Sequence, residues 1–332
     1  MTRICCPLHE LTVHVVGTGA VGLAYGYLLT ERGHRVFHSS LRGRVTPALP
    51  LSLQTGTGTT HGCYTPRYWH NTPQASIPHV QIFAVHGAQL APALQLCGGA
   101  LAPQACHLVF CSNPDAVEAA WRRVAADSYT LVYPLLSAEH CGDQGLRIIT
   151  NGEVEITPPQ GKSIGERLAL KALLEHMGLT VSGDVQLSRF RARYLQTAAI
   201  YIVLLAVSVG AIDHAQVDGA LLSTIHDELA AMAERRDGAR VADVPGQARH
   251  FASLAALIAA GERDGAMLGA TLEYLVRDGR RKLTAHLAAI TPAWDDHLAA
   301  RPATASQRLI SAVLALCDHE SERGLSTNGR AI

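Results

Sequence analysis

The chain has 332 residues, 48% hydrophobic and 17% charged, a composition that suits a folded protein with a sizeable core and excludes a disordered or fibrous one. Lys and Arg number 28, as do Asp and Glu, so no net field recruits nucleic acid or an anionic membrane. The eight cysteines form no C-x-x-C pair and the 17 histidines no metal-ligand spacing, while Met1–Glu10 holds no apolar leader core. A reduced, cytoplasmic protein without a metal site is the expectation.

Leu11–Val16 reads as a buried strand that breaks into Gly17-Thr18-Gly19-Ala20-Val21-Gly22, a G-x-G-x-x-G turn. Ala20–Glu31 follows as a helix closed by Gly33, and Arg35-Val36-Phe37 as a second strand. That β-α-β context turns a weak motif into a dinucleotide-binding fingerprint. Gly17 would make the tight turn and Gly19 admit the pyrophosphate, while Gly22 would let helix and sheet pack. The phosphates would then meet the orphan amides at the helix start, contributed by Thr18, Ala20 and Val21 as well. After the second strand comes His38-Ser-Ser-Leu-Arg42-Gly-Arg44, with no acidic residue for a ribose 2′-hydroxyl. Ser40 and Arg42, with Arg44 beside them, instead suit a 2′-phosphate, for which a guanidinium fork is well shaped.

Leu51–Leu53 and Cys63-Tyr64 suggest a small antiparallel excursion, and Val80–Val85 a strong buried strand before a helix at Gln89–Cys97. His107–Cys111 is the next strand, with Asn113 at the N-cap position of a helix over Pro114–Ala126. Tyr129–Tyr133, Arg147–Thr150 and Glu153–Thr157 supply further strands, the last two as a hairpin around Asn151-Gly152. Such alternation predicts a mostly parallel, doubly wound sheet. From Ser163 the apolar period becomes 3.6, giving helices at Gly165–Met177, Arg191–Ala211, Asp218–Arg235, Ala248–Ala260, Ala266–Val276, Leu283–Ile290 and Thr304–Asp318. The expected domains are therefore 1–160, α/β, and 161–332, all-α, with the boundary at Pro158-Pro159-Gln160-Gly161. Tyr194–Ile212 is charge-free and nearly long enough to span a bilayer, yet a central buried helix is the favoured reading, and no membrane partner is expected.

A Rossmann-like domain followed by an all-helical one resembles the ketopantoate reductase (2-dehydropantoate 2-reductase) family. The resemblance is carried by Gly17–Gly22 with Gly33-His34, by Ile82–Val85 before a helix, by Val109–Asn113, and by Phe190-Arg191-Ala192-Arg193 after Leu168–Asp184. It implies a Rossmann-like N-terminal domain and a 6-phosphogluconate dehydrogenase-like helical C-terminal one. It also implies a small carboxylate as substrate, while the Ser40–Arg44 loop points to NADP, and the charge-free face of Tyr194–Ile212 with the alanine-rich helices after it predicts a homodimer formed through the helical part. Asn113 inherits contact with nicotinamide ribose and substrate, and His86 stands where the family often has lysine. The family's acid lysine falls at Phe190–Arg193, where this chain has arginines, and no lysine occurs between Lys171 and Lys282. Arginine clamps carboxylates but donates protons poorly, which makes Arg191 and Arg193 candidate clamps. Thr271 falls near the family's serine, and the glutamate is absent near Lys282–Thr284. His86, His286 or water is left as the proton source. An imine reductase and a non-catalytic dinucleotide-binding scaffold are the alternatives to an oxo-acid reductase.

Overall fold

The computed structural model describes residues 10–43, 45–69, 77–97, 105–110, 114–122, 129–141, 145–157, 164–184, 187–208, 210–237, 241, 247–259, 294, 297–298 and 304–315. The chain divides into two compact units, 1–187 and 188–332.

The first unit is built on a nine-stranded sheet. Its strands are β1 (Thr12–Val16), β2 (Arg35–Ser39), β3 (Leu49–Thr55), β4 (Gly58–Tyr64), β5 (Val80–Phe83), β6 (Cys106–Val109), β7 (Tyr129–His140), β8 (Leu146–Thr157) and β9 (Thr180–Asp184). They lie in the order β2-β1-β5-β6-β7-β8-β3-β4. β2, β1, β5, β6 and β7 are mutually parallel. This is the doubly wound half that the alternating pattern predicts, with the order reversing between β1 and β5. β3 and β4 form the expected antiparallel excursion, which crosses to the far edge of the sheet and pairs with β8.

Two expectations fail here. Asn151-Gly152 does not turn a hairpin, because β8 is one strand of 12 residues that runs antiparallel to β7 throughout. Gly152 has φ +78° and its N–H bonds Thr150 Oγ1 at 2.9 Å, while Asn151 Oδ1 accepts from Glu153 N at 3.2 Å. The turn chemistry is therefore real, but it makes a bulge between Pro134 and Leu136 of the partner strand. The bulge divides the outer edge of β8, whose first half pairs with β3 and second half with β9. β9 is itself the second difference. With α4 (Ile164–His176), which packs Leu173 and Leu174 on the sheet core, it belongs to the sheet unit rather than to an all-helical part starting at 161. The division at 187 follows from this pairing.

α1 spans Ala20–Glu31, the stretch expected, because glycines mark both ends. At its C-terminus Gly33 adopts φ +84°, with Gly33 N bonded to Thr30 O and His34 N to Leu29 O. This is a Schellman close. Nearly every residue of α1 is apolar, and the structure shows why. Tyr25 and Leu29 pack on Val13, Val15, Val36 and Ile82 of the sheet, while Leu23, Ala24 and Tyr27 pack on Leu49, Leu51, Tyr64 and Ile148. A helix covered on both sides has no polar face to show. α2 (Gly87–Leu96) and α3 (Pro114–Trp121) complete this unit.

The second unit contains α5 (Leu187–Ser208), α6 (Gly219–Asp237), α7 (Gln247–Ala259) and a helix over 305–315. Asp218 caps α6 through Leu221 N at 2.7 Å. Thr304 and Gln307 cap the 305–315 helix reciprocally, Gln307 N donating to Thr304 Oγ1 and Thr304 N to Gln307 Oε1. α5 is long and apolar enough to cross a membrane, but 67% of its apolar window is buried inside the protein. Ala198, Ala199, Ile202 and Val203 form its core with Leu222, Ile225 and Phe251. The helices expected at 266–276 and 283–290 lie outside the described residues.

Candidate dinucleotide site

The candidate site begins where β1 ends. Gly17 has φ +125°, a conformation that side chains resist, and a Cβ there would overlap the Ala84 carbonyl. A Cβ on Gly22 would overlap the Gly17 carbonyl, so α1 packs directly on the turn. Gly19 differs: a Cβ added there meets nothing within 4 Å. It is the N-cap residue of α1 and offers no side chain to the first-turn amides. The turn therefore presents unfilled space in front of a helix N-terminus, among Thr18, Gly19, Ala20 and Val21. This arrangement suits a phosphate anion, and the residues fit a pyrophosphate.

Two more strand ends border the turn. Gly17 N donates to Ser39 O at 2.9 Å, which fixes the end of β2 beside it. The chain then closes a tight turn, Gly43 N to Ser40 O at 3.1 Å and Arg42 N to Ser40 Oγ at 3.4 Å, leaving Arg42 exposed. No carboxylate stands between Phe37 and Gly43. On the other side Ala84 N donates to Val16 O, and Val85 lies against Gly17. His86 is exposed at the N-cap of α2, with an extended backbone and no capping bond from its side chain. The structure therefore gathers Gly17–Gly22, Ser40, Arg42 and His86 around the carboxyl ends of β1, β2 and β5. Asn113, Arg44, Thr271 and His286 lie outside the described residues.

No protein-family model matches the chain, and no curated protein sequence does. Solved structures do. D-mandelate dehydrogenase in complex with NADH superposes over 94% of this chain and 99% of its own, with a TM-score of 0.64 and 14% identity. A ketopantoate reductase from Ralstonia eutropha covers 94% and 100%, at 0.62 and 21%. A 2-dehydropantoate 2-reductase from Geobacter metallireducens covers 92% and 99%, at 0.65 and 17%. The chain has the ketopantoate reductase fold.

Within the ketopantoate reductase fold, the helical unit carries the remaining candidates. Arg191 and Arg193 are half-buried on α5. Thr197 Oγ1 bonds Arg193 O at 3.0 Å, and Gln196 is buried. His250 of α7 has its pKa lowered, first by burial and then by the Arg193 charge.

Sequence reasoning passed over several residues that build the sheet unit's site. Gly26 stands one turn after Gly22, where any Cβ would strike the His38 ring and the Tyr64 hydroxyl. His38 is fully buried, bonds Tyr64 Oη at 2.8 Å, and is held down to a pKa of about 4 by burial, weakly opposed by the Gly17 backbone. Position 38 therefore points into the protein. The G-x-x-x-G spacing from Gly22 to Gly26 was the available signal. The opposite face of the sheet holds a second hydrogen-bonded set, the buried His14, Gln81 and His107 with the half-buried Ser39, one from each of four adjacent strands. Its sequence signal is a polar residue inside each of three buried strands: Val13-His14-Val15, Val80-Gln81-Ile82 and Cys106-His107-Leu108.

Proposed function

We propose that this chain is an NADP-dependent reductase that delivers a hydride to the carbonyl carbon of a 2-oxo acid or related small carboxylate. The observation that carries the reading is the Gly17–Gly22 turn with the acid-free Ser40–Gly43 turn hydrogen-bonded beside it. The fold adds support, since D-mandelate dehydrogenase of the same fold has been solved with NADH and anilino(oxo)acetate. The bound nicotinamide supplies the hydride. The protein's part is position and charge. First-turn amides of α1 hold the pyrophosphate, while Ser40 and Arg42 hold a 2′-phosphate. Asn113 orients the nicotinamide ribose and substrate. Arg193 or Arg191 clamps the substrate carboxylate, and Thr271 offers a hydroxyl. The proton comes from His86, His286 or water. We also propose a cytoplasmic homodimer joined through the helical unit, and light scattering that shows only monomer at micromolar concentration would overturn the dimer.

Titration calorimetry tests the cofactor. Wild type should prefer NADPH to NADH, and Arg42→Ala should weaken NADPH about tenfold to a hundredfold while leaving NADH unchanged. Equal affinity of wild type for the two would overturn the NADP assignment. NADPH oxidation with a panel of 2-oxo acids, alone and with amines, then tests the reaction. One observation favours a second reading, an imine reductase: no lysine stands between Lys171 and Lys282. A protonated imine needs less acid help than a ketone, so turnover only in the presence of amines would favour it. A protein that binds NADPH but oxidises none of it in either panel would be a scaffold.

A further inference from the structure

His14, Gln81 and His107 form a buried row across β1, β5 and β6 that continues to the half-buried Ser39 of β2. His14 Nε2 lies 2.8 Å from Ser39 Oγ, Gln81 Nε2 lies 3.3 Å from His14 Nδ1, and His107 Nε2 lies 3.1 Å from Gln81 Oε1. Strand register places His14 opposite Gln81 and Gln81 opposite His107, so the three side chains stand in one row. His14 also stacks on Trp69, with ring centroids 4.6 Å apart and planes at 21°.

The chemistry of the amide gives the ladder a direction. A glutamine Nε2 only donates, so His14 Nδ1 accepts and the imidazole proton sits on Nε2, aimed at Ser39 Oγ. Gln81 Oε1 only accepts, so His107 Nε2 carries a proton too. Every bond then donates from β6 toward β2, and Ser39 Oγ, already accepting, must send its own hydrogen away from the ring. No acceptor for that hydrogen lies among the described residues. The hydroxyl stands on the residue whose carbonyl holds Gly17 N–H and which directly precedes the Ser40–Gly43 turn. Burial, with repulsion from His38 when that ring is protonated, holds His14 down to a pKa of about 4, so it stays neutral and the direction persists at neutral pH.

On the same face of these strands the neighbouring positions, Val16, Phe83 and Val109, are apolar and fully buried. Replacing a whole hydrogen-bonded set by apolar groups of similar shape is often neutral for stability, so a polar row in this layer calls for a geometric reason. We propose that His14, Gln81 and His107 are positioning residues that aim the Ser39 hydroxyl as a donor to the adenosine-side ribose or its 2′-phosphate. The proposal rests on the dinucleotide reading above.

The test uses the full chain with NADPH and with adenosine 2′,5′-bisphosphate, which shares only the adenosine side. Ser39→Ala and His14→Phe should each weaken both ligands by the same factor, about threefold to tenfold, the worth of one hydrogen bond. The double variant should be no weaker than the worse single one, because His14 acts through Ser39. Additive losses, or a Ser39→Ala protein that binds like wild type, would overturn the assignment. A second measurement does not depend on any variant's binding. Nitrogen-15 spectra of wild-type imidazoles, with the His14 signal identified by its loss in His14→Phe, should show a neutral ring protonated at Nε2. Protonation at Nδ1 would reverse the ladder and overturn the proposal. If wild type binds neither NADPH nor NADH, the functional reading falls and takes the named ligand with it. If wild type binds and the losses add, only the positioning proposal falls.

Discussion

The carboxyl end of β1 and the first turns of α5 are the two places where the ketopantoate reductase resemblance expects chemistry, and the two differ in the kind of group each offers. At β1 the working groups are backbone amides, and the sequence requirement is the absence of side chains at Gly17, Gly19 and Gly22. On α5 the groups that the resemblance expects to work are side chains at nearby helical positions, and an exposed one can be exchanged without breaking the helix. The first place carries the G-x-G-x-x-G pattern and the second does not carry the expected lysine, since it reads Phe190-Arg191-Ala192-Arg193. In the β1 turn packing fixes Gly17 and Gly22, whereas Gly19 is free of packing constraint.

The sharpest way to break that comparison is to fill the β1 turn. Gly19 faces open space, so Gly19→Val should keep the helical circular dichroism of wild type and lose NADPH binding by more than about a hundredfold, since the branched side chain takes the pyrophosphate's room. Gly17→Val should instead unfold the unit, because its Cβ would collide with the Ala84 carbonyl at a φ of +125°. Similar outcomes for the two variants would mean that Gly19 has no role beyond packing.

The buried histidines beneath the turn add a pH dependence of smaller size. His14 and His38 have folded-state values of about 4 against an ordinary 6.5, lowered mainly by burial. Above pH 6.5 both are neutral whether folded or not, and their contribution to stability is fully present. As pH falls from 6.5 to 4 the unfolded chain takes up protons that the folded chain refuses, so stability is lost across that window. The loss is on the order of a few kcal/mol for the pair. His38→Asn should flatten the fall by about one proton, roughly 1.4 kcal/mol per pH unit. Thermal melts from pH 7 to 4 check this, and parallel curves for wild type and variant would show that His38 is not buried as a neutral base.

What was legible in the sequence follows the same division. α1 could be placed to the residue because glycines close both of its ends, and the parallel core because its strands are apolar runs between turn residues. Asn151-Gly152 misled because the same positive-φ chemistry serves a hairpin or a bulge, and only the partner strand, β7, decides which. β9 escaped because its five residues sit among helices, and their pairing with β8 is a tertiary fact. The His14–Gln81–His107 row escaped for a related reason: three polar residues, each odd in its own strand, make sense only once register aligns them.

The smallest effects separate the two arginines of α5. Residues two apart on a helix point about 200° away from each other, so Arg191 and Arg193 cannot both clamp one carboxylate. The Arg193 charge adds to burial in lowering the His250 pKa of α7. If the clamp lies on the Arg193 face, Arg193→Ala should raise KM for the carboxylate substrate about tenfold to a hundredfold, with a smaller fall in kcat, while Arg191→Ala leaves both near wild type. Arg193→Ala should also let the His250 pKa rise part of the way back, since burial still holds it down. That titration, followed by NMR, reports the arginine's effect on His250 whether or not a substrate is known. Ala192→Lys sharpens the point: one lysine should not create ketopantoate reductase activity, because the family's glutamate is missing from Lys282–Thr284 as well. If Ala192→Lys alone reduced ketopantoate, the helical unit would be a near-intact site lacking one group, and the contrast with the β1 turn would collapse.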